Sequence, residues 1–296
     1  MPDLKHLSIV AAVLALPVAP TLAASSSSAL LEDFSITLYD LDPTDGITPW
    51  ITPTLSGRGS TVSVNAQDAN VGIDSLARWT QSAWGPVSIG TTVGFAQASA
   101  SVSGSPEAGT GRLAASGAAQ GVVPGTPRYE STSFSARAVP FEEYSSSFLL
   151  SPYTLAVFSA TASVRAQTTV GYDPATDGYE FASANVRLWV QGPAPGGGSS
   201  GGQSANDSRS VNASATEGYD PETGEFVWAG MTQVIEASPV AVAFTNYSGT
   251  SLAGSLQAEA YVSGNSAVTA VPEPGSALLL LAGLAGIGQV VARRRR

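Results

Sequence analysis

Between residues 24 and 271, apolar and polar side chains alternate with a period of two. Phe95–Ser103 sets Ala96, Ala98, Ala100 and Val102 against Gln97, Ser99, Ser101 and Ser103. Ala160–Tyr172 puts Ala162, Val164, Ala166 and Thr168 on one face, and Gln257–Ser263 repeats the pattern. Asn185–Val190 alternates less cleanly, as a more buried strand does. Successive residues of a strand point to opposite faces, so this pattern predicts half-buried strands. No segment in this interval carries a 3.6-residue apolar stripe of helical length. The expectation is an all-β fold, an antiparallel β-sandwich, although Ala and Ser have low strand propensity.

Turn chemistry punctuates the strands. Asp42-Pro43-Thr44-Asp45-Gly46, Asp173-Pro174-Ala175-Thr176-Asp177-Gly178 and Asp220-Pro221-Glu222-Thr223-Gly224 each supply Asp, Pro and Gly. Asp caps a turn, Pro fixes φ and Gly admits a positive φ, so three hairpins are expected. The last two share Gly-Tyr-Asp-Pro, at 171–174 and 218–221. Two copies are fewer than a repeat array needs, which favours two similar hairpins within a local meander. Stretches 105–125 and 191–202, rich in Gly, Pro and Ser, are expected to be flexible loops of one ectodomain spanning 24–271.

The two ends have a different grammar. Residues 1–23 read as a signal peptide: Lys5 and His6, then apolar Leu7–Val18, then Thr21-Leu22-Ala23-Ala24 with cleavage after Ala23 or Ala24. Such a segment engages the Sec translocon and signal peptidase. At the other end, Pro272-Glu273-Pro274 precedes an apolar run over 276–292 and then Arg293, Arg294, Arg295 and Arg296. Seventeen helical residues reach roughly 25 Å, just short of a ~30 Å hydrocarbon core, which predicts a marginal transmembrane helix. The arginines would hold its end at the cytoplasmic face.

These three elements, Pro272-Glu273-Pro274, the apolar run and Arg293–Arg296, resemble the PEP-CTERM protein-sorting signal of Gram-negative bacteria. The resemblance covers residues 272–296 and implies an exosortase partner that cuts near Pro272-Glu273-Pro274. It also implies a transient inner-membrane anchor, followed by delivery to the cell surface or the extracellular space. It does not define what the ectodomain does, because unrelated domains carry such a signal.

Composition narrows the chemistry. The chain has 296 residues and no Cys, and its one His and one Lys, His6 and Lys5, lie in the signal segment. A Ser-His-Asp triad, a Ser-Lys dyad, a Schiff base and a histidine or cysteine zinc site are therefore not available to residues 24–271. With both ends set aside, eight arginines face 21 carboxylates, a net charge of about −13. That sign repels phosphate backbones and excludes nucleic acid as a partner.

Carboxylate chemistry remains. Asp68, Asp74, Glu130, Glu142, Glu143 and Glu180 are candidates for the two carboxyls of a glycosidase, but no spacing selects a pair. Asp40, Asp42 and Asp45 stand at i, i+2 and i+5, a candidate calcium site without the spacing of an EF-hand or its closing Glu; a carboxylate-capped turn is the reading the pattern favours. Otherwise no cofactor is expected. Among the tryptophans, Trp189 and Trp228 read as core, and Trp79 and Trp84 as candidates for an exposed sugar-stacking surface.

The expectation is an exported, non-enzymatic structural protein of the cell surface or extracellular matrix, associated with exopolysaccharide or biofilm. The alternative is a carbohydrate-binding β-sandwich module, and behind it a carboxylate-based glycoside hydrolase.

Overall fold

The computed structural model describes residues 24–54, 59–68, 70–121, 131–140, 148–174, 177–196 and 201–267. The expected signal peptide at 1–23, with Ala23, and the sorting segment at 272–296 lie outside them. Among the described residues every regular element is a strand. In chain order they are β1 (Ala24–Asp40), β2 (Ile51–Pro53), β3 (Thr61–Asp68), β4 (Gly72–Trp79), β5 (Val87–Val93), β6 (Ala96–Ser103), β7 (Gly111–Gln120), β8 (Thr132–Val139), β9 (Phe148–Leu150), β10 (Thr154–Thr168), β11 (Tyr172–Asp173), β12 (Gly178–Pro193), β13 (Gly202–Ala213), β14 (Ala215–Asp220), β15 (Glu225–Gly230), β16 (Thr232–Asn246) and β17 (Leu252–Ser266).

Fifteen of the strands form two sheets that pack face to face, the expected antiparallel sandwich, and β14 and β15 pair only with each other in a separate two-stranded sheet. A six-stranded sheet runs β16-β10-β1-β7-β6-β5. A nine-stranded sheet runs β11-β12-β17-β8-β3-β4, with β13 on β12, β9 on β17 and β2 on β9. Strict alternation produces the core: Ala182, Ala184, Val186, Leu188 and Val190 of β12 are buried, as are Ala258, Ala260 and Val262 of β17.

Alternation is interrupted once in β1, and the interruption has a use. The inward residues Ser25, Ser27, Ala29 and Leu31 are followed by Phe34, three positions on rather than two. Pairing with β10 shifts between Glu32 and Ser35, and Asp33 takes φ 54°. This bulge re-phases the strand so that Phe34, fully buried, reaches the core.

Small residues let large rings fill a core otherwise rich in Ala. Phe148 packs edge-on against Phe244 at 5.1 Å and tilted against Phe158 at 5.5 Å. A Cβ on Gly254 would lie 2.3 Å from the Phe148 ring, and one on Gly192 2.6 Å from the Phe244 ring.

Four expectations need correction. Residues 111–120 of the expected loop 105–125 are β7, an internal strand paired with β1 and β6. The stretch 191–202 shortens, because β12 runs to Pro193 and β13 starts at Gly202. The turn at Asp42–Gly46 closes no hairpin: β1 leads to β2, which pairs with β9. The expected meander breaks after β13, since β16 joins the other sheet through β10. The two Gly-Tyr-Asp-Pro segments do form hairpins, β11–β12 and β14–β15.

Candidate functional site: the outer face of the nine-stranded sheet

Because β12 buries its even-numbered residues, its odd-numbered ones form an outer face. Register places Asn185, Arg187, Trp189 and Gln191 beside Tyr261, Glu259, Gln257 and Ser255 of β17. On the other flank they stand beside Ser210, Ser208, Asn206 and Ser204 of β13. The result is a broad patch of amides and hydroxyls with two aromatic rings among them.

Polar bonds hold the centre of this patch in place. The Trp189 indole N–H donates to Ser204 Oγ at 2.9 Å. The Arg187 guanidinium lies over the Trp189 ring, 5.0 Å from its centroid, and Arg187 Nε donates to Asn206 Oδ1 at 3.0 Å. Arg137 Nε donates to Glu259 Oε1 in a partly exposed ion pair. Tyr261 is exposed on the same face. A cation over an indole is attracted by the ring quadrupole, so Arg187 both orders Trp189 and covers one of its faces.

Three of the four tryptophans singled out in the sequence are placed differently from expectation. Trp84 is buried and stacks on Phe34 at 4.8 Å, so it belongs to the core. Trp79 is exposed, as expected. Trp189 lies on the outer face, and Trp228 on the β14–β15 hairpin packs edge-on against Tyr172 at 4.9 Å. For Trp189 the signal was present: Leu188 and Val190 both point inward, so a period of two turns Trp189 outward.

The carboxylates are engaged in structure. Glu180 is buried, and its Oε2 accepts the amides of Thr169, Val170 and Gly171 at 2.8, 2.8 and 2.9 Å. Buried Asp68 accepts Phe95 N through Oδ2 and Asn70 N through Oδ1. Asp74 accepts the hydroxyl of Thr91. Glu130, Glu142 and Glu143 lie outside the described residues. Sequence reasoning missed the roles of Asp68 and Glu180 because their partners are backbone amides, which no side-chain pattern announces.

Asp40, Asp42 and Asp45 each cap their own stretch of backbone. Asp40 Oδ1 accepts Asp42 N, Asp42 Oδ1 accepts Thr44 N and Oγ1, and Asp45 Oδ1 accepts Ile47 N. Among the described residues, no group of three or more His, Cys, Asp or Glu is arranged to hold a metal ion. Ala24, the second candidate cleavage residue, is the first residue of β1; its N–H donates to Thr169 Oγ1 at 2.7 Å.

Across the gap between the sheets, β13 is stitched to β16. Gln203 accepts Thr245 N and donates to Thr245 O, at 2.9 and 2.7 Å. Asp207 accepts Ala241 N at 3.0 Å and pairs with Arg209, whose guanidinium also donates to Ser238 Oγ and Pro239 O. Burial, the largest single influence on Asp207, pushes its carboxyl up. The Ala241 amide and the Arg209 guanidinium together outweigh it and hold the carboxyl below the usual carboxylate range.

No helix among the described residues is long and apolar enough to cross a membrane. No curated protein and no solved structure matches the chain. Residues 270–296 match the family model of the PEP-CTERM protein-sorting motif, which covers Pro272-Glu273-Pro274 and Arg293–Arg296. A motif of this kind supports exosortase-dependent sorting of an exported, membrane-anchored precursor. The chain thus joins a β-sandwich to a PEP-CTERM protein-sorting motif.

Proposed function

We propose that this is a non-catalytic structural protein of the cell surface, whose sandwich associates with extracellular polysaccharide once its sorting segment has been processed. The observation that carries this reading is the outer face of the nine-stranded sheet. Its Ser, Asn and Gln rows, with Arg187 fixed over Trp189, offer many hydrogen-bonding groups on one broad surface. Such a face suits many weak contacts with a polymer. The negative charge of the ectodomain favours neutral or basic polymers over uronic-acid-rich ones. The engagement of Asp68 and Glu180 by backbone amides supports a non-catalytic role. The test is retention: the processed ectodomain stays with washed extracellular polymer, and complete loss to the medium would refute the reading.

A second reading, a module for one defined glycan, is favoured by exposed Tyr261 and Trp79 on the same sheet. A glycan array with and without Ca²⁺ separates the two. One tight, soluble glycan ligand selects the module; weak retention by polymer alone selects matrix association.

A further inference from the structure

The two ends of the sandwich are unequal. Ala24 exchanges hydrogen bonds with Thr169: its N–H donates to Thr169 Oγ1, and its carbonyl accepts Thr169 N. Ala267, just past β17, donates to Tyr179 O at 3.0 Å. Thr169 N is bound by Glu180, the neighbour of Tyr179. The described chain therefore starts and finishes at the same end of the sandwich.

Register places four hairpin tips at that same end. Ser266 pairs with Thr132 and Asn265 with Ser133, which pairs with Gln67, so the β3–β4 turn lies there. Ala24 pairs with Gln120 and Ala119 with Ala96, which brings in the β5–β6 turn. The β11–β12 turn follows Gly171, and the β14–β15 hairpin emerges from strands that meet Ala182 and Gln167. Each tip presents apolar side chains to solvent. Val71 and Ile73 are 67% and 63% exposed, Tyr219 and Phe226 62% and 65%, with Tyr179 and Phe95 exposed beside them. The β14–β15 strands, six residues each, reach about 20 Å beyond their roots. Trp228 against Tyr172 braces that hairpin near its base.

We infer that this end faces the bilayer in the anchored precursor, with Tyr219, Phe226, Tyr179, Val71 and Ile73 resting in the lipid–water interface. The inference rests on the reading of 276–292 as a membrane span. From Ala267 to Ser276 there are nine residues, at most about 30 Å of extended chain. Even fully extended, the tether exceeds the reach of the β14–β15 hairpin by only about 10 Å, so the hairpin tips are within reach of the headgroups. Aromatic side chains with a polar edge settle at that depth. The β14–β15 hairpin carries Glu217, Asp220, Glu222 and Glu225, so anionic lipid repels it and the surface it fits is zwitterionic.

A chain without Cys makes the test clean. The full precursor is reconstituted into zwitterionic vesicles carrying one fluorophore on either Thr223→Cys, at the β14–β15 tip, or Ser251→Cys, at the opposite end. Quenchers attached to lipid headgroups should quench the Thr223 label at least threefold more than the Ser251 label. Anionic lipid, or Tyr219→Ser with Phe226→Ser, should abolish the difference while the protein stays in the vesicles. Equal quenching in a precursor that resists alkaline extraction would overturn the inference and leave the anchor standing. Extraction of the precursor by alkali would overturn both. Preferential quenching that appears only when a second membrane protein is added would assign the tips to a protein interface and overturn it too.

Discussion

Gly171 and Glu180 bind each other twice. Gly171 N donates to the Glu180 carboxylate at 2.9 Å, and Glu180 N donates to the Gly171 carbonyl at 2.7 Å. With Thr169 and Val170 on the same oxygen, the carboxylate ties the bend after β10 to the start of β12. That bend also holds Ala24 through Thr169. Glu180→Gln keeps the shape but directs an amide N–H₂ at donors or weakens their acceptor. The expected cost is about 2–3 kcal/mol, read from urea unfolding.

Phe134 fills a space that two glycines leave open. A Cβ on Gly117 of β7 would lie 2.1 Å from its ring, and one on Gly264 of β17 2.6 Å away. Gly117→Ala should therefore destabilise by about 1–3 kcal/mol through overpacking. Adding Phe134→Leu should make the pair less destabilised than the sum of the two single changes, because the smaller side chain vacates the clash. A double-mutant cycle by chemical denaturation checks this.

Asp207 gives the β13–β16 seam an acid limit. Its carboxyl lies below the usual range in the folded chain. The stabilisation is complete above the unfolded value, about pH 4, and is lost as pH falls through the lower folded value. Asp207→Asn should lower Tm at pH 7, and the gap from the unmodified protein should close in more acidic buffer. A constant gap would show that the charge is not involved.

Arg187 and Trp189 should matter more for retention than for folding. Their contact is worth about 0.5–1 kcal/mol at an exposed site, so Arg187→Ala should lower stability only slightly. The same change, and Trp189→Ala, should release the ectodomain from washed polymer at lower salt than the unmodified protein needs. A salt series on recovered polymer measures it.

The alternation legible in the sequence belongs to strands whose inward residues contrast with polar outward ones, as Val164 and Ala166 do with Arg165 and Gln167. β7 escaped because Ala114-Ala115-Ser116-Gly117-Ala118-Ala119 has almost no contrast, and its burial depends on Phe134 from the other sheet. Trp84 escaped because it sits outside any strand, at φ 54°, and its place under Phe34 is set by tertiary packing. On the candidate face, Trp189 was readable by parity. The partnership with Arg187 and Ser204 was not, because it depends on side-chain conformation and on the register of β12 with β13.

The most direct test of the account is the intact mass of the protein recovered from its host's surface and medium. The account predicts loss of residues 1–23, leaving β1 complete from Ala24, and loss of the tail beyond Pro272-Glu273-Pro274. A recovered species that still carries Arg293–Arg296 would contradict it, and would make the sandwich a permanent resident of the inner membrane's outer face.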